Sequence, residues 1–384
     1  MLATPPPLRA QVPLRGVLAR TNDAGSHGPL AMDEGATGAW QKLLKVGITA
    51  SVLYTTAHPD DEEPGVLTLL SRGMGARTAL LTLNRGEGGA NAIGPELFDA
   101  LGLIRTEELR LAGRHYGLDD QYFTTAADYG YSKTLGEAMR SWDREAVLAD
   151  MVRVIRTNRP LVVISRWHGS ERDGHGHHQA AGALTPEAVA AAADPARFPE
   201  QIAREGLRPW RPRKVYRGRI RDGETWHLEL DPGVPSPWLG RSYQEVGAEG
   251  LALQRSQTSG RSRPFTGAAR ARYERLVPSD GPAREDALFD GLDTSLPGIF
   301  DLLGEAAPPG AVEALRDVDA RVREARDAFR MDDPGAAAPA LAAALAGLRA
   351  VLARLPRDSE ARFHLVVEER QMVDALAALV GLRA

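Results

Sequence analysis

Apolar runs and helical spacings alternate along the first two thirds of the chain. β-Branched and apolar runs predict buried strands at residues 50–57, 77–84 and 161–165. Apolar residues spaced three and four apart predict helices after Pro64, within 95–115, around 147–155 and over 178–193. Strands that alternate with helices of this length predict an α/β fold, a Rossmann-like parallel sheet flanked by helices.

The remainder of the chain has a different pattern. Two further strands are predicted at 213–220 and 225–230, whereas residues 231–310 are rich in Gly, Ser, Pro and Arg. From residue 311 onward, Val and Leu recur at helical spacing and predict two or three amphipathic helices. We therefore predict four segments: a flexible N-terminal arm (1–40), an α/β catalytic domain (41–260), an irregular linker (261–310) and an α-helical C-terminal appendage (311–384).

Composition narrows the classes of function. The 384 residues are 43% hydrophobic and 26% charged, and the formal net charge of −4 gives no support for a nucleic-acid partner. No apolar run approaches the ~18 residues of a membrane span, so we expect a soluble protein without one. Two locations stay open at this point: the cytoplasm, or export with a signal peptide that is absent from this chain. The chain has no cysteine, which excludes disulfides, thiolate ligands and a cysteine nucleophile.

Polar residues collect where two of the predicted strands end. His58, Asp60 and Asp61 follow the strand at 50–57, and "WHGSERDGHGHHQAAG" (167–182) follows the strand at 161–165. Ligands of parallel α/β sheets bind at the carboxyl ends of the strands. Uncompensated carboxylates at a buried strand end are costly, and a divalent metal ion held by imidazole and carboxylate groups would compensate them.

The two adjacent aspartates can have different chemical roles. Because neighbouring side chains point in different directions, one of Asp60 and Asp61 can bind the metal while the other takes a proton from water. A histidine on the far side of the bond would protonate the leaving nitrogen, which predicts metal-assisted hydrolysis of an amide. Simpler interpretations remain: a solvated loop, a surface histidine tract with adventitious metal affinity, and Glu62 and Glu63 as favourable charges at a helix start.

Three motifs together resemble the PIG-L/LmbE-like family of zinc-dependent de-N-acetylases: "AHPDDE", "RTEELRLAGRHYG" and "GHGHHQAAG". The resemblance covers roughly residues 48–250. It implies that Asp60 is the general base and His175 the general acid. It also implies metal ligands at His58, Asp61 and His178, and substrate-binding residues at Arg105 and Asp128. Zn2+ is the expected cofactor, although this type of site also takes Fe2+, Co2+ or Mn2+.

One position departs from the family pattern. The usual H-P-D-H reads "HGHH" at 175–178, so His177 replaces the aspartate that commonly orients the acid histidine. Asp173 is a nearby candidate for that missing partner.

The resemblance implies removal of an N-acetyl or other N-acyl group from an amino sugar, such as N-acetylglucosamine, or its conjugate. The expected partner is therefore a small N-acetylated sugar or glycoconjugate, with a homo-oligomer through the C-terminal helices as a further expectation. Two alternatives stay open: hydrolysis of another amide, in a thiol conjugate or an acylated peptide, and a non-catalytic metal- and sugar-binding protein.

Overall fold

The computed structural model describes residues 30–262 and 269–382, and the backbone of residues 18–19. Eight of its strands form one mixed sheet in the order β1-β4-β3-β2-β5-β6-β10-β7, and β8 and β9 pair separately. The strands are β1 (Leu18–Ala19), β2 (Ser51–Thr56), β3 (Arg77–Thr82), β4 (Asp120–Phe123), β5 (Val162–Ser165), β6 (Lys214–Arg217), β7 (Leu228–Leu230), β8 (Pro235–Ser236), β9 (Arg241–Ser242) and β10 (Ala271–Val277).

The five central strands, from β4 to β6, are parallel, whereas β1, β10 and β7 pair antiparallel at the edges. Every residue of β2 is buried, as expected for a parallel strand that helices cover on both faces. The chain reverses direction across the sheet at β2, since β3 and β4 lie on one side of it and β5 and β6 on the other. Such a reversal leaves a crevice at the carboxyl ends of the strands.

Thirteen helices are present in the described part of the chain. They are α1 (Gly35–Lys45), α2 (Pro64–Thr68), α3 (Asp99–Tyr116), α4 (Leu135–Ser141), α5 (Arg144–Asn158), α6 (Gly176–Ala193), α7 (Pro199–Ala203), α8 (Tyr243–Leu251), α9 (Arg255–Thr258), α10 (Ile299–Leu303), α11 (Ala311–Ala328), α12 (Ala338–Arg354) and α13 (Glu360–Leu379). Three of them, α11 to α13, form the predicted helical C-terminal region. The predicted α/β fold is thus confirmed, with a sheet that is mostly rather than wholly parallel.

The buried apolar residues form two cores. The larger one surrounds the sheet. The second joins the C-terminal helices to α1, whose Ala39 and Leu43 are buried against them. Most of the predicted N-terminal arm (1–40) lies outside the described residues, but its last part is helical, because α1 begins at Gly35 and packs on the helical region through its apolar face.

The predicted irregular linker contains ordered structure as well. Strand β10 lies within it and pairs with β6 and β7. Its sequence "ARYERLV" concealed the strand because the outward residues Arg272 and Glu274 are charged; each forms an ion pair across the sheet with Glu229 or Arg217. Pro186 lies inside α6 without ending it, so the helix is continuous over the predicted range.

Among the described helices, one segment, Pro334–Arg354, is long and apolar enough by composition to cross a membrane. The helix core of a globular protein has the same composition. Leu341, Leu345 and Leu348 of this segment are buried in the second core, where α12 packs between α11 and α13.

Candidate metal and catalytic site

The two predicted polar clusters meet at the carboxyl edge of the sheet. Strands β2 and β5 pair in parallel with Thr55 opposite Ser165, so the loops that follow them lie side by side. His58 lies two residues beyond the end of β2, and His175 caps the start of α6. The loop before α6 is held by the Asp173 carboxylate, which accepts hydrogen bonds from three consecutive backbone N–H groups, at 168–170.

His58, Asp61 and His178 bring their donor atoms together. The Nε2 of His178 lies 3.2 Å from His58 Nδ1 and 3.3 Å from an Asp61 oxygen, and His58 Nδ1 lies 3.0 Å from the other Asp61 oxygen. All three ligand atoms lie within 4.8 Å of one another. Two imidazoles and one carboxylate at this separation fit a divalent ion such as zinc with open coordination positions.

The orientation of His178 is fixed on both sides of its ring. Its Nδ1 donates to the backbone carbonyl of Asp173 at 3.1 Å, since a carbonyl can only accept. The Nε2 lone pair therefore points to the site without a proton. Trp167 stacks on the ring at a centroid distance of 3.7 Å and an interplanar angle of 7°. His178 is thus oriented for a metal before any ion binds.

Asp60 and Asp61 differ electrostatically as well as in position. Burial raises the pKa of Asp60 to about 7, with a further rise from Asp61, while Arg105 acts in the opposite direction. Burial alone would also raise the pKa of Asp61, but His58 and His178 hold it well below its usual value. Asp61 is therefore ionised and suited to a cation, whereas Asp60 can exchange a proton near neutral pH.

Arg105 on α3 positions Asp60. Its guanidinium donates to Asp60 Oδ1 at 2.9 Å and to the backbone carbonyls of Pro59 and Gly86. Asp60 itself has a φ of +86°, which places a non-glycine residue in the left-handed region. Such a conformation costs free energy and persists only when its surroundings hold it, as the Arg105 contacts do here.

His175 and His177 lie on the opposite side of His58. The Nδ1 of His177 is 3.0 Å from His58 Nε2, and the Nδ1 of His175 accepts the backbone N–H of His177 at 3.0 Å. Burial, together with the neighbouring imidazoles, lowers the pKa of His175 to about 4 and that of His177 to about 2. Both rings are therefore neutral at pH 7, and the Nε2 of His175 is the ring nitrogen left for contact with a ligand, since Nδ1 accepts the backbone N–H of His177.

Two further residues named from the sequence, Asp128 and Asp173, differ in where the structure places their carboxylates. Asp128 reaches the cluster: its carboxylate oxygens lie 3.9 Å from His58 Nε2 and 3.7 Å from His177 Nδ1. Asp173 was wrong as a side-chain partner for His175, since its carboxylate is occupied by the loop backbone.

Glu62 and Glu63 lie directly before α2, as predicted, and both carboxylates also have hydrogen-bond partners in the site region. Glu62 accepts hydrogen bonds from Tyr116 and the Asp60 backbone. Glu63 accepts from Tyr54 and Arg166, and so braces the loop.

Three aromatic residues of the site escaped the sequence analysis. Trp142 stacks on His177 with centroids 4.5 Å apart, and Tyr129 meets the same ring edge-on at 4.4 Å. Tyr131, which is largely exposed, lies 5.0 Å from the His175 ring. Both tyrosines lie in the stretch "ADYGYS" together with Asp128, and their nearness to that predicted residue was the available signal.

Comparison with known proteins finds one matching family profile and several similar sequences. Residues 53–189 match the profile of the PIG-L family, described as GlcNAc-PI de-N-acetylase. A curated relative from Kineococcus radiotolerans, "1D-myo-inositol 2-acetamido-2-deoxy-alpha-D-glucopyranoside deacetylase", is 33% identical over 225 residues, which are 52% of this chain and 57% of the relative. A relative from Saccharopolyspora erythraea with the same activity in its name is 29% identical over 53% of this chain and 82% of its own. The chain thus spans little more than half of the first relative.

Two solved structures share parts of the fold at low similarity. The N,N'-diacetylchitobiose deacetylase from Pyrococcus horikoshii has a TM-score of 0.43 and 20% identity, covering 54% of this chain and 70% of its own. The 4-carboxy-2-hydroxymuconate hydratase GalB from Pseudomonas putida has a TM-score of 0.39 and 18% identity, covering 61% of this chain and 98% of its own. Their activities differ, and we draw nothing about function from them.

Proposed function

From the match of residues 53–189 to the PIG-L family profile, we propose that the chain is a metal-dependent N-deacetylase of an amino sugar or its conjugate. One observation carries the proposal. His58, Asp61 and His178 converge as candidate metal ligands directly beside Asp60, a carboxylate that Arg105 holds through a 2.9 Å hydrogen bond. The names of the sequence relatives support an N-acetylated amino sugar as the substrate class.

The metal ligands are His58, Asp61 and His178, and Zn2+ is the expected ion. A divalent ion in such a site supplies Lewis acidity, since it lowers the pKa of water and polarises a carbonyl. A cation beside Asp61 would also lower the pKa of Asp60, which favours its ionised, basic form.

Asp60 accepts the proton of the water that attacks the amide carbonyl. Arg105 keeps its carboxylate in place through the 2.9 Å hydrogen bond. His175 donates through Nε2 to the departing amine nitrogen, because its Nδ1 is already occupied by the backbone of α6. The proton that Asp60 takes from water replaces the one that His175 gives to the amine, so the acyl group gains a hydroxyl, the amine gains one hydrogen, and both residues return to their starting states.

We assign substrate binding to Arg105 and Asp128. The Nε of Arg105 is buried without a hydrogen-bond partner among the described residues, which leaves it as a donor for a substrate oxygen. The Asp128 carboxylate, on the other side of the cluster, can accept from sugar hydroxyls.

The proposal is tested by the release of acetate and free amine from a panel of substrates. The panel contains N-acetylglucosamine, its inositol conjugate and an N-acetylated amino acid, with Asp60→Asn as the matched control. We expect release from at least one sugar by the wild-type protein only. Release from the amino acid alone would indicate a different amide hydrolase. Metal binding without release from any substrate would overturn the catalytic proposal in favour of a binding protein.

A further inference from the structure

The two histidine ligands of the proposed metal site differ in how their second nitrogen is held. His178 donates from Nδ1 to the carbonyl of Asp173, and a carbonyl can only accept. His58 instead has its Nε2 3.0 Å from His177 Nδ1, and a neutral imidazole nitrogen can either donate or accept. The tautomer of His178 is therefore fixed, whereas that of His58 depends on His177.

Without an ion, the contacts favour the tautomer of His58 that cannot bind one. The Nδ1 of His58 lies 3.0 Å from an Asp61 carboxylate oxygen, so a proton on this nitrogen makes a hydrogen bond with it. His58 Nε2 then accepts from His177 Nδ1–H. To serve as a metal ligand, His58 Nδ1 must give up this proton, and Nε2 must carry one and donate to His177.

No hydrogen bond at His177 Nε2, the ring nitrogen away from His58, opposes a change of tautomer among the described residues. Its Nε2 is buried and has no hydrogen-bond partner in the part of the chain that the structure describes. Its ring faces Trp142 and Tyr129 there, which hold its position. The ring is thus held in place while its proton is free to reside on either nitrogen.

We propose that His177 is a positioning residue that sets the tautomer of His58, and that the His58–His177 pair changes tautomer together when a metal ion binds. His58 Nε2 takes the proton of His177 Nδ1 across their 3.0 Å contact, and the proton that leaves His58 Nδ1 is matched by one gained at His177 Nε2. The pair neither gains nor loses a proton. This inference rests on the metal ligands of the proposed function but not on its substrate.

The resemblance led us to compare His177 with the aspartate that commonly orients the acid histidine, here His175. The present proposal gives His177 a different role, since it acts on the metal ligand His58. It predicts that an acceptor-only residue at 177 would fix His58 in the metal-binding tautomer in advance. Contacts of this kind around a metal typically change affinity by about 10- to 100-fold.

The experiment measures zinc affinity of the full chain by competition with a chromophoric chelator, without substrate. We expect His177→Asp, which only accepts, to bind zinc at least about 10-fold more tightly than wild type. His177→Asn can donate or accept and should stay within about 3-fold of wild type. His177→Phe keeps the ring shape but offers no acceptor, and should bind about 10-fold more weakly. Thermal unfolding shows whether each variant is folded.

A control variant tests whether the added negative charge, rather than the tautomer of His58, explains a tighter zinc affinity. The double variant His177→Asp with Asp128→Asn restores the original number of carboxylates near His58, and we expect it to keep most of the gain. Equal affinities of the Asp and Asn variants, or loss of the gain in the double variant, would overturn the proposal.

Nitrogen NMR of 15N-histidine-labelled wild-type protein provides the second measurement. We expect the protonated nitrogen of both His58 and His177 to change on zinc addition, whereas that of His178 stays at Nδ1. An unchanged His177 would contradict the proposal even if a variant failed to fold.

Discussion

The sheet edge and α13 both bury histidine and carboxylate side chains, and of these two described regions the sheet edge has the geometry of a metal site. At the sheet edge burial lowers the pKa of His177 to about 2 and raises that of Asp60 to about 7. On α13 burial lowers the pKa of His364 to about 3 and raises that of Glu368 to about 8. The pKa shifts of the two regions are similar in size and cause.

The regions differ in what the buried groups face. At the sheet edge the donor atoms of three side chains lie within 4.8 Å of one another. On α13, Glu368 accepts the backbone N–H of Gly47, and His364 Nε2 has no partner among the described residues. Shifted pKa values therefore accompany burial in general, whereas convergence of metal-binding atoms distinguishes a candidate site.

The largest expected effect comes from removing one metal ligand. His178→Ala should lose bound zinc and all measurable deacetylation, because two ligands do not hold a catalytic ion. His364→Phe is the matched control in the helical core and should keep both, since it replaces a buried imidazole by an apolar ring of similar shape. Elemental analysis and acetate release measure the two properties. Full zinc content in His178→Ala would refute the ligand assignment.

A smaller effect is expected at the general base. Asp60→Asn keeps the size and the Arg105 contact but cannot accept a proton, so turnover should fall about 100- to 10,000-fold. Its zinc content should stay that of wild type, because Asp60 is not a ligand in this account. A variant that retained turnover within about 3-fold would exclude Asp60 as the base.

Only part of the site could be predicted from the sequence. The charged residues at the ends of β2 and β5 were predictable, because carboxylates at buried strand ends require compensation and the sheet topology brings these ends together. The contact of His177 with His58, and the stacking of Trp142 on His177, join residues far apart in the chain. No local pattern encodes such contacts.

The fold shows the same limit. Strands β2, β3 and β5 were predicted from apolar runs, but β10 was missed since only alternate residues such as Tyr273 face the core. Helix α1 begins with glycines and small residues, so its apolar face gave little signal. Its place beside the C-terminal helices depends on the second core, which unites residues separated by most of the chain.

The smallest expected effect concerns stability in the helical core. Glu368 stays protonated in the folded protein up to a pKa of about 8, whereas its ordinary value is 4.5. The folded state binds more protons between these values, so this group destabilises the protein progressively as pH rises from about 4.5 to about 8. Glu368→Gln should remove that loss and raise the melting temperature at pH 8, relative to wild type, by about 2 °C or more.

His364 provides the control of opposite sign. Its pKa is lowered from 6.5 to about 3, so its contribution to stability is lost as pH falls through that range. His364→Phe should flatten the acid side of the stability profile and leave the alkaline side unchanged. If Glu368→Gln and His364→Phe shifted the profile equally at every pH, the pKa assignments in this core would be wrong.

The most direct test of the account is acetate release by metal-free protein before and after zinc is added. The protein is treated with chelator, its metal content is checked by elemental analysis, and an N-acetylated amino sugar conjugate is supplied. The account predicts no release without metal and recovery of activity with about one equivalent of zinc. Undiminished release by protein verified to be metal-free would contradict it.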